Sequence, residues 1–160
     1  MLDKHTQGTS PTREEILALP TGAALDEMII EQVLGWCKTP LGKLREGTRY
    51  PDKIVWDTLR GPYAERPLGE FRPSLLLSES WYAVHALRKR GWYSQHTDLT
   101  LDSGAEWWSW TFLNHAPPGN ESVSATAETA ALAICRAALL VLLSAEVGSA
   151  DTTKKGEGES

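Results

Sequence analysis

Hydrophobic positions along this chain change period several times, and each change predicts an element. Residues 10–19, "SPTREEILAL", open with Thr12 and Glu15 at capping-box spacing, which predicts a short helix stopped by Pro20. Residues 21–36 place Leu25, Met28, Ile29, Gln32 and Val33 on one helical face, with Thr21 as N-cap and Gly35 as terminator. In residues 71–92, "FRPSLLLSESWYAVHALRKRGW", Pro73 follows an extended residue and Ser74 stands at a capping position. Leu77, Trp81, Val84, His85 and Leu87 then form the expected inward stripe, and Arg88, Lys89, Arg90 and Gly91 close the helix. Residues 93–101 and 106–112 alternate with period two around a turn at 102–105. They predict a hairpin with Trp108, Trp110 and Phe112 on one face and Trp107 on the other. Residues 114–125 read as a loop, with Ser124 or Thr126 capping the last helix.

That last helix, "TAALAICRAALLVLL" at 129–143, is apolar around nearly its whole circumference. Such a helix is buried. Its fifteen residues, interrupted by Arg136, fall short of the ~20 needed to cross a bilayer. It is the expected central core helix, with Arg136 reaching out to a carboxylate or carbonyl group. Residues 37–70 are punctuated so densely by proline and glycine that only 52–58 reads as a short strand, in a long loop. The order is two N-terminal helices, an irregular segment, a middle helix, a β-hairpin and a C-terminal core helix. This predicts an α+β fold, a small antiparallel β-sheet packed between helices in an α/β/α sandwich. The polar ends, 1–10 and 148–160, are expected to be disordered, leaving one domain over 11–147.

Charge and composition narrow the function. The net charge of −5 argues against binding to DNA or RNA polymers, which requires a basic surface. A small anion needs only two or three local cations. Cys37 and Cys135 show neither metal spacing nor a disulfide framework, and His5, His85, His96 and His115 are scattered. No catalytic or metal-binding motif is visible, so neither catalytic residue, metal nor cofactor is expected. The absence of a targeting signal points to a reducing cytoplasm. Seven tryptophans are many for 160 residues, and several are expected at a surface, a pocket or a subunit contact of a homo-oligomer.

The candidate ligand-binding residues follow from two short stretches. In "RPLGEFRPS" (66–74), Arg66 and Arg72 flank a helix start capped by Ser74, where free N–H groups and bidentate guanidinium groups suit a phosphate. The competing reading is ordinary capping with solvated arginines. Indoles from Trp56 or Trp108 offer flat faces on which a base can stack, or serve as core and subunit contact. Together these features suggest capture of a small nucleotide without turnover.

Three segments also resemble a known family. "TREEILALPTGAALDEMIIEQVLGW", "FRPSLLLSESWYAVHALRKRGW" and "TAALAICRAALLVLL" resemble motifs of the phage ABA sandwich domain, the last most closely. The resemblance implies an α/β/α sandwich from a phage genome, at work in the host bacterial cytoplasm. It further implies immune evasion by a sponge that holds a nucleotide signal of bacterial defence, a cyclic oligonucleotide or a cyclic ADP-ribose derivative, without cleaving it. The alternative is a phage accessory protein that binds a host or phage protein through its tryptophan surface.

Overall fold

A computed structural model describes residues 10–58, 65–100, 104–116 and 120–152. Its elements are α1 (Arg13–Ala18), α2 (Ala23–Met28) continuing as a π-helical turn (Ile29–Val33), β1 (Cys37–Pro40), α3 (Leu41–Leu44) and β2 (Ile54–Asp57). β3 (Glu65–Pro67), α4 (Leu77–Arg88), β4 (Trp92–Thr100), β5 (Glu106–Asn114), β6 (Glu121–Ala127) and α5 (Ala130–Thr152) follow. The fold is α+β, with two three-stranded antiparallel sheets in the orders β1-β2-β3 and β4-β5-β6. The termini expected to be disordered lie mostly outside the described residues. α5, however, runs to Thr152, past residue 147, since no proline stops it and one glycine is tolerated within a helix.

The capping box forms as its spacing requires. Thr12 N–H donates to Glu15 Oε2 at 2.7 Å, and Glu15 N–H donates to Thr12 Oγ1 at 3.2 Å. The hairpin forms as its alternation requires, with Trp110 and Phe112 buried and facing the helices. β6 corrects the loop reading of 114–125. In "ESVSATA", Val123, Ala125 and Ala127 are buried while the serines and Thr126 are exposed, a period-two pattern carried by small residues. The last helix is consequently capped by Thr129, whose Oγ1 accepts the Leu132 N–H at 3.2 Å, and not by Ser124 or Thr126. β1 and β3 also correct the loop reading of their segment: both are short and end in prolines, which sheets tolerate at strand ends and edges.

Two inward faces differ from the expected ones. On α4, Ser80, Ala83, Val84 and Leu87 are buried, while Leu77, Trp81 and His85 are exposed. α4 packs against the alanine-rich α5, and small residues there let the helices approach closely. The π-helical turn, in which Leu34 N–H reaches back to Ile29 O at 3.0 Å, rotates the preceding face so that Ile30 is buried and Gln32 is exposed.

The main core joins α5 to β5, β6, α4 and α1. A second cluster of Ile30, Trp36, Trp56 and Phe71, with Leu34 and Tyr82 against it, attaches the smaller sheet. Trp36, Trp56, Trp92 and Trp110 are buried, Trp107 and Trp108 half-buried, and Trp81 exposed. Arg136 leaves the core edge as expected: its Nε and Nη2 donate to Leu19 O, the C-cap carbonyl of α1, at 3.2 and 2.7 Å. Arg136→Ala is expected to cost about 1.5–3 kcal/mol, the range for a charge-assisted bond, and to leave ligand affinity unchanged. Thermal melts beside binding titrations check this. A stable variant that no longer binds would place Arg136 in the site.

Candidate functional site

The chain between Phe71 and Leu76 turns before it becomes helical. Arg72 O accepts N–H groups from Leu75 and Leu76 at 3.1 and 3.0 Å, and α4 starts only at Leu77, with Leu76 as an N-cap that offers no side-chain bond. Ser74 therefore does not cap α4. It is fully buried and faces α2: its N–H donates to Asp26 Oδ1 at 2.7 Å, and its Oγ accepts the Gly22 N–H at 3.0 Å. The Arg72 N–H donates to the Glu79 carboxylate. The chain's own carboxylates thus hold two of the amides that the sequence reading had offered to a phosphate. Gly22 adopts φ 138°, ψ −173°, a conformation open to glycine, which aims its N–H at Ser74.

A cavity of about 290 Å³ lies between the start of α2 and residues 68–75. Its floor is apolar and aromatic, formed by Ile30, Trp56 and Phe71, each at most 3% exposed. Exposed Leu68, Arg72 and Leu75 form the rim, and Thr21, Gly22 and Ala23 form the facing wall. Two carboxylates also line it. Glu27 is paired with Lys38 Nζ at 3.0 Å, and that ammonium lies 5.2 Å from the Trp56 ring centroid. Asp26 is the buried one, held by Ser74. The Arg72 guanidinium has no hydrogen-bond or ion-pair partner among the described residues.

The structure brings Trp56 and Arg72 into one cavity, with Ser74 directly behind its wall. Arg66 and Trp108 stay outside. Arg66 is exposed on β3, opposite Trp56 in register but not in the lining. Trp108 belongs to the larger sheet, half-buried beside His96 at 6.2 Å between ring centroids. The sequence reading missed Asp26, Ile30 and Phe71. Asp26 and Ile30 stand four residues apart, one helical turn, so a second face of α2 was the available signal.

A second hollow of about 320 Å³ uses Trp36 and Tyr82 of the same aromatic cluster together with His85, Lys89 and Arg90. Arg90 is committed to the fold, with Nη2 donating to Val33 O at 2.9 Å. Among the described residues no group of three His, Cys, Asp or Glu could hold a metal ion. Cys37 is exposed, whereas burial, reinforced by the nearby Asp26 charge, pushes the Cys135 thiol far above the ordinary thiol range. Ellman's reagent is expected to titrate one thiol rapidly in the native protein and the second only on unfolding. Two fast equivalents would mean that α5 is not buried as described.

One family model, that of the phage ABA sandwich domain, matches residues 27–139. The chain belongs to this family. The matched segment of this ABA sandwich protein carries both sheets, α4 and the first half of α5, and it includes Trp56, Phe71 and Arg72. Neither the curated proteins nor the solved structures yield a match. No helix among the described residues is long and apolar enough to cross a membrane.

Proposed function

We propose that this phage ABA sandwich protein sequesters a nucleotide-type signal of bacterial anti-phage defence in the host cytoplasm and does not cleave it. The observation that carries this reading is the cavity itself: buried Trp56 and Phe71 beneath, and at the rim an Arg72 whose guanidinium has no partner among the described residues. Aromatic side chains accept a base by stacking or edge contact, and a guanidinium binds phosphate oxygens in pairs. Retention without turnover fits the lining, which pairs no histidine, serine or cysteine as base and nucleophile.

Size decides how much of the ligand fits. A volume of about 290 Å³ lies at the lower edge of the ~300–1,000 Å³ usual for small-molecule sites. It holds one base with its phosphate, so the rest of a cyclic oligonucleotide extends over the rim. Leu68 and Leu75 at that rim are 42% and 53% exposed, with Leu76 and Leu77 beside Leu75 in the chain. A second subunit closing over these leucines completes the enclosure, which makes the binding form a homo-oligomer. Native mass spectrometry of protein expressed together with defence signals tests both points. An oligomer carrying an intact cyclic nucleotide supports the reading; a ligand-free monomer, or a hydrolysed product, overturns it. The alternative, docking to a host or phage protein, is favoured by exposed Leu77 and Trp81, one turn apart on α4.

A further inference from the structure

Asp26 is the least expected residue of the cavity. It is 4% exposed, yet it lines the space. Its Oδ1 accepts the Ser74 N–H at 2.7 Å, one of the roughly four hydrogen bonds that a carboxylate can accept. Burying a carboxylate with unfilled acceptor capacity is costly, so a donor-bearing partner at this point would be strongly favoured. The carboxylate is also held in place: Ser74 N–H fixes one oxygen, and the Gly22 N–H to Ser74 Oγ bond at 3.0 Å fixes Ser74. The neighbouring carboxylate does not compete, because Lys38 pairs with Glu27 at 3.0 Å.

We propose that the cavity selects a guanine base, with the Asp26 carboxylate accepting its two adjacent edge donors. This rests on the nucleotide reading above and adds the identity of the base. A carboxylate can only accept hydrogen bonds, through two oxygens side by side. Guanine presents two neighbouring donors on its pairing edge, the ring N–H and the exocyclic amine. Adenine and cytosine place a ring-nitrogen lone pair beside their amine, which would face a carboxylate oxygen. Uracil places its one N–H between two carbonyls. Guanine is thus the common base whose edge matches this wall, while Trp56 and Phe71 contact its rings and Arg72 receives the phosphate. A site built around a buried polar group discriminates strongly, because the wrong ligand leaves that group unpaired. Within the proposed function, a guanine-containing cyclic oligonucleotide is therefore favoured over a cyclic ADP-ribose derivative, whose base is adenine.

Calorimetric titration of the full chain with GMP, IMP and AMP, and with cyclic di-GMP and cyclic di-AMP, tests this. The guanine ligands are expected to bind at least tenfold more tightly than their adenine counterparts, with IMP, which lacks the amine, between GMP and AMP. Asp26→Asn is expected to reduce the GMP-to-AMP preference to threefold or less, with a thermal melt alongside to verify folding. If that variant does not fold, the ligand series on the unmodified protein decides alone. Equal affinity for guanine and adenine ligands overturns the assignment of the base and leaves the nucleotide reading standing. Failure of all five to bind overturns both.

Discussion

Phe112→Ala is expected to destabilise the protein by about 3–5 kcal/mol, the cost of emptying a fully buried phenylalanine site. Phe112 is 0% exposed in the second half of β5, paired with Ser94 of β4 on one side and Val123 of β6 on the other. Its ring belongs to the core that joins the larger sheet to α5. With a total stability of ~5–15 kcal/mol for an ordinary domain, one such change removes a large share. At ~2–4 °C per kcal/mol, the melting temperature should fall by about 10 °C. Leu113→Ala provides the control, because Leu113 is half-buried on the opposite face of the same strand and should cost far less. Similar losses at the two positions would mean that the strand register is shifted by one.

Arg72→Ala is expected to weaken nucleotide binding at least tenfold, about 1.5–3 kcal/mol for a charge-assisted bond, without moving the melting temperature of the free protein. The reason is structural. The exposed guanidinium has no partner among the described residues, so its removal there leaves nothing unpaired until an anion is present. Arg66→Ala should change affinity far less, since that side chain lies outside the cavity. Titrations of the two variants beside the parent make the comparison. If Arg72→Ala binds as the parent does, the phosphate is held elsewhere, and the hollow of His85, Lys89 and Arg90 becomes the next candidate.

Local chemistry made much of the fold legible. Thr12 and Glu15 announce α1 because a capping box is complete within four residues. The alternation of Trp108, Trp110 and Phe112 announces a strand, since period two tells which face is buried. The all-round apolar helix could only be central, and its arginine had to leave the core, as it does toward Leu19. The family was legible for the same reason: its motifs are these contiguous segments, and 27–139 matches its model.

The candidate site was legible only in part. Trp56 and Arg72 were identified as residue types that bind nucleotides, and the structure places both in one cavity. Arg66 and Trp108 are the same residue types, yet strand register and sheet membership put them elsewhere. Ser74 looks like a cap because Ser before an apolar run usually is one; here its Oγ instead accepts the N–H of Gly22, 52 residues away.

The sequence by itself determined the elements whose stabilising partners lie within a turn or a strand: the caps, the alternating hairpin, the buried last helix, and through them the fold class and family. Only the tertiary structure decided which face of α4 points inward, that β6 pairs with β5, and that Asp26, Trp56 and Arg72 share one wall-to-wall space. The physical reason is range. Periodicity and capping are written in neighbouring residues, whereas close helix packing, sheet pairing and a cavity depend on groups brought together from distant parts of the chain, whose fit no local pattern records.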